Sequence, residues 1–225
     1  MKNGKFLSPW FSGIFVVAAL AVYYAISYIF SFKYGFFDIE EVGVTEVTTY
    51  LFYGFAAGVA TCCAKDFWKT PDWNTFCALI FLWCAALLRE LGIQHWLTSH
   101  DTVITKSRFF TNPNNPLYEK VIAGLLMSLV LLVLIIVICK CAKKSISGLL
   151  KFNAVPWTAA TFIVFAIITQ IIDRLPANYM KATGVALSDH VFFICKIFEE
   201  GGESLLPLLF AIALIQYHYS LQKQI

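Results

Sequence analysis

The stretch "VIAGLLMSLVLLVLIIVIC", residues 121–139, contains no charged side chain and consists mostly of leucine, isoleucine and valine. An α-helix needs about 20 apolar residues to cross a bilayer. The whole chain has a similar character, because 59% of its 225 residues are hydrophobic and only 14% are charged, with a mean hydropathy of +0.72. These values are typical of a membrane protein with several spans and exclude an ordinary soluble domain.

Apolar runs of similar length recur along the chain. They predict an all-α polytopic membrane protein, a six-transmembrane-helix bundle, in which residues 1–225 form a single integral membrane domain. The run after the basic N-terminus is too long for a signal-peptide core, so we interpret it as a retained span. The predicted spans are 10–32, 46–64, 74–93, 119–139, 155–173 and 188–219.

The last apolar stretch, 205–219, is too short for a comfortable span, so its helix is predicted to begin upstream. Ser188 is a suitable N-cap residue for that helix. A helix over 188–219 would be about 48 Å long, whereas the hydrocarbon layer is about 30 Å thick. The helix is therefore predicted to be either long or broken, and Gly201-Gly202 is the predicted position of a break.

The basic residues are divided unequally between the two sides that six spans create. With a cytoplasmic N-terminus, the outer segments hold Lys33, Lys106, Arg108, Lys120 and Lys181, and the inner segments hold Lys2, Lys5, Lys65, Lys69, Lys140, Lys143, Lys144, Lys151 and Lys223. Because basic residues in short loops favour the cytoplasm, we predict that both termini are cytoplasmic. The small net charge of +3 and the position of the lysines in loops exclude nucleic-acid binding.

Three glutamates, Glu199, Glu200 and Glu203, directly precede the last leucine-rich run. Together with Lys196 they are three and four residues apart, so they share one face of a helix. A charged face on a membrane helix points into the bundle or into water. Three clustered carboxylates in such a place need a cation, a shared proton or a metal ion.

Ionisable residues also lie at the ends of other predicted spans, on the same outer side. We expect Arg89 and Arg174 to neutralise part of the glutamate charge, and Arg89 and Glu90 to have different partners. The candidate catalytic residues are Glu199, Glu200, Glu203, Glu90 and Asp173. The candidate ligand-binding residues are Arg89, Arg174, Lys106, Arg108, His95, His190 and Glu46.

No local motif indicates a metal site or a nucleophile, and no cofactor is predicted. A divalent metal held by His95, His190 and two of the glutamates remains an alternative that rests on residue type alone. Ser188 lies directly before an aspartate and a histidine, but adjacent side chains diverge and cannot form a triad. The seven cysteines contain no CxxC pair, so we interpret them as packing residues.

The order of three short segments resembles a group of bacterial six-span inner-membrane proteins. These segments are E-x-x-G-x-x-E from Glu40 to Glu46, the pair Arg89-Glu90, and E-E-x-x-E from Glu199 to Glu203. The resemblance implies a multi-pass protein of the bacterial inner membrane with a single polar site, and it implies no particular reaction. Alkaline-ceramidase-like hydrolases are a poorer match, because their paired HxxxH is absent.

Three functions remain open at this stage, and the sequence does not establish whether the protein is an enzyme. The first is a structural or accessory subunit of a membrane complex, in which the charges fix helix packing or dock a partner. The second is an enzyme acting on a lipid or lipid-linked substrate, with glutamates as acid and base. The third is a proton- or cation-coupled transporter. The expected partners are the lipid bilayer, a lipid ligand, and other proteins or further copies of the chain.

Overall fold

The computed structural model describes residues 6–29, 44–68, 70–92, 98, 104 and 107–222, and for residues 44, 45, 107, 108 and 222 it describes the main chain. Within these ranges the chain is 86% helical and has no strands. The helices are α1 (Phe11–Tyr28), α2 (Val44–Phe67), α3 (Trp73–Glu90), α4 (Ser107–Thr111), α5 (Leu117–Leu150), α6 (Ala154–Thr183) and α7 (Asp189–Gln222). Six of them are long and apolar enough to cross a membrane. The predicted all-α polytopic architecture is confirmed.

Helix α5 is much longer than the predicted span 119–139. It has 34 residues, which corresponds to about 51 Å. The helix does not end where the apolar run ends, because Lys140 to Lys144 continue it as good helix formers. Hydropathy therefore identifies the part of α5 that lies in lipid, whereas the helix itself extends further.

Helix α6 also continues past its predicted end at residue 173. The segment 174–183, which we expected to be an outer loop, is helical and contains Pro176. The helix ends at Gly184, which has a φ of 71° and donates its backbone N–H to the Met180 carbonyl at 2.9 Å. Glycine adopts this left-handed conformation without a steric penalty, so Gly184 sets the end of α6.

Helix α7 is continuous over 34 residues, so the alternative of a break at Gly201-Gly202 is wrong. The two glycines instead allow neighbouring helices to approach closely. A Cβ atom on Gly201 would lie 2.6 Å from Tyr23 Cδ1 on α1, and a Cβ on Gly202 would lie 2.2 Å from Thr169 Cγ2 on α6. At the start of the helix, the Ser188 carbonyl accepts the first backbone hydrogen bond, as an N-cap residue should.

The chain divides into two compact units. The first comprises residues 1–63 and 146–225, and the second comprises residues 64–145. The boundaries fall inside α2 and α5 rather than in loops. The prediction of a single domain stays a prediction.

The first unit is built around α1, α6 and α7. Its apolar core consists of Val16 from α1, Phe165 from α6, and Leu205 and Leu209 from α7. On α1 and α6, Ser12 Oγ and Thr161 Oγ1 are hydrogen bonded at 3.1 Å. Below the core, Thr158 Oγ1 donates to Gln216 Oε1 at 2.7 Å, and Gln216 Nε2 donates to the Phe6 carbonyl at 3.0 Å. These bonds satisfy polar groups that water does not reach.

Aromatic contacts and a turn organise the second unit. Phe67 and Phe76 stack with their ring centroids 4.4 Å apart, at the connection between α2 and α3. In the turn "NPNNP" at 112–116, Asn115 is buried and donates a hydrogen bond to the Phe109 carbonyl at 2.8 Å. Glu119, in the first turn of α5, is also buried.

The pair Gly54-x-x-x-Gly58 on α2 has the spacing of small residues that typically packs inside a membrane bundle. Both glycines are exposed instead, and a Cβ atom on either would meet no described atom within 4 Å. They therefore provide a useful contrast with the glycines of α7.

The first prediction is that Gly202→Ala lowers the stability of the protein. The new Cβ would collide with Thr169 Cγ2, and overpacking of this kind costs about 1–3 kcal/mol. Thr169→Ser removes the colliding methyl group and is expected to restore much of the loss. Thermal unfolding of the purified protein in detergent, followed by tryptophan fluorescence, measures both effects.

The matched control for this prediction is Gly54→Ala, an exposed glycine-to-alanine change in another membrane helix. It is expected to be neutral or to stabilise by up to about 1 kcal/mol, because alanine favours the helix and meets no neighbour. Equal shifts in melting temperature for Gly54→Ala and Gly202→Ala would contradict the close-packing account.

Candidate functional site

The candidate site lies on the antiparallel helix pair α6 and α7. Two hydrogen bonds between side chains define the register of the pair: Thr158 bonds to Gln216, and Gln170 Nε2 donates to Glu203 Oε1 at 3.5 Å. As the residue number rises by 12 on α6, it falls by 13 on α7. This register brings the residues of α6 just after Gln170 level with the glutamates of α7.

Lys196 links two of the three glutamates. Its Nζ atom lies 3.0 Å from Glu199 Oε1 and 3.9 Å from Glu200 Oε1. The side chains are partly shielded, with 32% of Lys196, 13% of Glu199 and 31% of Glu200 exposed. The predicted shared face is thus confirmed for these residues. The cation that balances these glutamates is Lys196, which belongs to α7 itself.

Asp173 on α6 adds a further carboxyl group. It interacts through charge with both Lys196 and Glu199. We refer to Asp173, Lys196, Glu199, Glu200 and Glu203 as the charge cluster.

The charge cluster contains four carboxyl groups and one ammonium group. If all of them were ionised, the carboxylates would exceed the cation by three, which is unfavourable in a shielded site. Among the glutamates, Glu203 accepts a hydrogen bond from a neutral donor, Gln170. Chemically, the cluster can therefore hold protons or attract a cation.

Helix α2 contributes neutral polar groups next to the cluster. Thr49 Oγ1 and Ser204 Oγ lie 2.6 Å apart in a buried hydrogen bond. Ser204 Oγ also donates to the Glu200 carbonyl at 2.9 Å. One turn before Thr49, the Glu46 carboxylate accepts a hydrogen bond from the Tyr50 hydroxyl. Glu46 therefore lies on the helix that packs against the site, but its identified partner belongs to α2.

Helix α1 closes another side with Tyr23, whose ring covers Gly201. One turn further along α1, Ser27 is fully buried. Its Oγ atom has no hydrogen-bond partner among the described residues. A buried hydroxyl without a partner costs about 1–3 kcal/mol, so Ser27 is expected to lower the stability of the folded protein.

Arg174 does not lie beside the glutamates as expected. Its side chain is exposed, and it lines a groove along α6 together with Gln170 and Asn178. Asp173 takes the position facing α7, since consecutive helix residues point about 100° apart. Arg174 makes no ion pair with any described residue.

Arg89 and Glu90 belong to the second unit and form an ion pair with each other, which was not expected. That they have different further partners stays a prediction. Arg89 Nη2 lies 2.6 Å from Glu90 Oε1, and Arg89 Nε lies 3.1 Å from the same atom. Both residues lie at the end of α3, where the long arginine side chain can fold back onto its neighbour. Their predicted meeting with the glutamates of α7 stays a prediction.

The remaining candidates cannot be placed in a common site. His95 and Lys106 lie outside the described residues, as does the side chain of Arg108. His190 lies exposed in the first turn of α7. Within the part of the chain that is described, no three His, Cys, Asp or Glu residues are grouped to hold a metal ion. The metal alternative, which requires His95, remains a hypothesis.

Several residues that shape the site were missed in the sequence. Gln170, Thr49 and Ser204 are neutral, so no charge drew attention to them. The one available signal was the amide side chain of Gln170 inside a predicted membrane span, where polar groups need partners. Glu119 is buried. It was missed because it belongs to no cluster of acidic residues in the sequence and lies next to a turn.

Comparisons with known proteins found no relative for this chain. No protein-family model matches it, and neither a curated protein nor a solved structure matches it. The assignment of a role therefore rests on the geometry of the site.

The second prediction concerns Lys196→Met. The substitution leaves Glu199 and Glu200 without their ammonium partner, and breaking such a partly shielded pair is expected to cost about 1–3 kcal/mol. The loss should be smaller at low pH, where a protonated glutamate needs no cation. Thermal unfolding between neutral and acidic pH measures the difference between the variant and the wild type.

Two comparisons make the Lys196 prediction specific. Adding Glu199→Gln to Lys196→Met removes the unpaired charge and is expected to recover stability. Lys181→Met, which removes an exposed lysine near the end of α6, is expected to have little effect. A pH-independent loss for Lys196→Met, or an equal loss for Lys181→Met, would argue against the ion-pair interpretation.

Proposed function

We propose that this chain is a multi-pass protein of the bacterial inner membrane with both termini in the cytoplasm, and that it acts as a structural or accessory subunit of a membrane complex. In this proposal the charge cluster lies near the outer side and holds α6 and α7 in one arrangement. Its charged groups serve helix packing rather than chemistry on a substrate.

The observation that carries the proposal is that the glutamates of α7 have partners within the first unit. Lys196 serves Glu199 and Glu200, Gln170 serves Glu203, and Asp173 reaches Glu199 from α6. A polar network of this kind rigidifies a bundle, because each group would be costly if left alone in a membrane. A catalytic site would instead leave acceptors directed at a substrate.

The apolar surface of the second unit supports a role in assembly. Only 6% of the membrane-spanning part of α3 is buried within the protein, compared with 44% for α7. Lipid, another part of this chain or a further protein covers the rest of α3. Small polar residues and backbone contacts drive helix association in membranes, so such a surface can accept a second copy or another subunit.

The excess of carboxyl groups favours one alternative, a proton- or cation-coupled transporter. Four carboxyl groups lie near a single ammonium group, that of Lys196, and carboxyl groups inside membrane spans relay protons in transporters. In this alternative, Glu199 and Glu203 would exchange protons during transport, and their partners would be temporary.

The third hypothesis is an enzyme that acts on a lipid or lipid-linked substrate. It assigns an anionic headgroup to Arg89, Lys106, Arg108 and Arg174. Of these four, only Arg174 belongs to the same compact unit as the glutamates, and its side chain lies on the groove face of α6. The enzyme hypothesis therefore has less support than the other two.

The third prediction tests the proposal with Glu199→Gln, Glu200→Gln and Glu203→Gln in a strain that lacks the chromosomal copy. If the charges serve packing, the ability of each variant to replace the wild type should follow its thermal stability and its amount in the membrane. Asp189→Asn, which changes an exposed acid on the same helix, is expected to behave as the wild type.

The opposite result would overturn the structural proposal. If Glu200→Gln or Glu203→Gln keeps the wild-type amount and melting temperature but does not replace the wild type, the carboxylate itself is required. Proton movement in liposomes containing the purified protein would then distinguish transport from lipid chemistry. A glutamine keeps the size of glutamate, so a specific loss cannot be attributed to a change in volume.

A further inference from the structure

A groove runs along the face of α6 that includes Arg174. It has a volume of about 500 Å³, which is within the range of small-ligand sites. Its apolar part extends over about 14 Å of helix, the distance from residue 162 to residue 171. The apolar residues that line it are Phe162, Ile163, Ala166, Ile167 and Ile171.

The polar part of the groove lies at the end of the predicted span. Gln170, Arg174 and Asn178 are spaced four residues apart and line the groove on the same side of α6. Uncharged residues extend from Phe152 to Ile172, so Arg174 falls where the hydrocarbon layer gives way to lipid headgroups. The groove thus has an apolar stretch followed by a cation and an amide.

The cation in this groove has no counter-charge among the described residues. Arg174 makes no ion pair within the described ranges, and the described residues that line the groove include no acid. The neighbouring acid, Asp173, interacts through charge with Glu199 and Lys196. An arginine at the edge of a membrane favours an anion beside it, and the phosphate group of a lipid is available at that depth.

We propose that the groove on α6 binds an anionic phospholipid, with an acyl chain along Phe162 to Ile171 and the phosphate group on Arg174 and Asn178. The argument is one of complementarity. Arginine donates several hydrogen bonds in a planar arrangement that suits phosphate, and the Asn178 amide supplies a further donor one turn away. In a bilayer, the apolar stretch faces the acyl chains of the lipids.

A lipid fits these features better than a soluble anion or a protein. A soluble anion would make no use of the apolar stretch. Ile163, Ile167 and Ile171 are all more than half exposed, as expected for side chains in contact with lipid tails. The site is independent of the proposed structural role, because Arg174 takes no part in the charge cluster.

The fourth prediction uses phospholipids that carry a photoactivatable group on an acyl chain. The full-length protein is reconstituted in phosphatidylcholine bilayers containing a trace of either a phosphatidylglycerol or a phosphatidylcholine probe. After illumination, labelled peptides are quantified by mass spectrometry. We expect the phosphatidylglycerol probe to label the α6 peptide about fivefold more than the phosphatidylcholine probe, as one cation at the membrane surface predicts.

Variants assign this preference to the groove. Arg174→Gln is expected to bring the labelling ratio on α6 close to one, whereas Arg174→Lys should retain most of it because the charge remains. Lys151→Gln removes an exposed cation at the opposite end of α6 and should leave the ratio unchanged. The exposed residues Leu131 and Leu132 of α5 provide an internal reference for ordinary lipid contact.

Three results would overturn the proposal. The first is equal labelling of α6 by the two probes in the wild type. The second is an undiminished preference in Arg174→Gln, with the melting temperature confirming that the variant is folded. The third is loss of the preference on adding free glycerol phosphate, which would indicate a site for a soluble anion. Absence of α6 labelling by both probes counts as the first result, because this face would then not be in contact with lipid.

Discussion

The close approach of α6 to the backbone of α7 at Gly202 is the contact on which the rest of the first unit depends. Any side chain at this position would collide with Thr169. The hydrophobic effect does not bring helices together inside a bilayer, so close backbone packing and hydrogen bonds must do so. Because Thr169 lies against Gly202, Gln170 and Asp173 come within reach of Glu203 and Glu199. The absence of a side chain at Gly202 thus allows Gln170 to contact Glu203 and Asp173 to approach Glu199.

These polar contacts explain how a membrane helix can contain three glutamates. The cost of a charge in a membrane falls when it has a partner of opposite charge, a shared proton or a neutral donor. The charge cluster uses the first and the last of these, through Lys196 and Gln170 respectively. The same contacts that satisfy the charges also join α6 to α7, so the stability of the site and the packing of the helices are coupled.

The sequence was sufficient to predict the six long helices, because each apolar run approximates the thickness of a bilayer. It also predicted that Lys196, Glu199 and Glu200 share a face, since that depends only on helical spacing. It did not predict that Asp173, rather than Arg174, faces the glutamates. That choice depends on the rotation of α6 about its axis, which the tertiary contact between Thr169 and Gly202 sets. The full lengths of α5 and α6 were missed because hydropathy reports the lipid layer and not the end of a helix.

The length of α5 has a mechanical consequence. The helix continues without interruption from the apolar run through Lys140 and Lys144. These lysines are therefore held at fixed positions on the helix and not on a flexible loop. Sliding α5 along its axis by one turn in the direction of its N-terminal end would draw Lys140 into hydrocarbon. A long uninterrupted helix can adapt to a thinner bilayer by tilting, so the angle of α5 to the membrane is expected to depend on the thickness of the lipid around it.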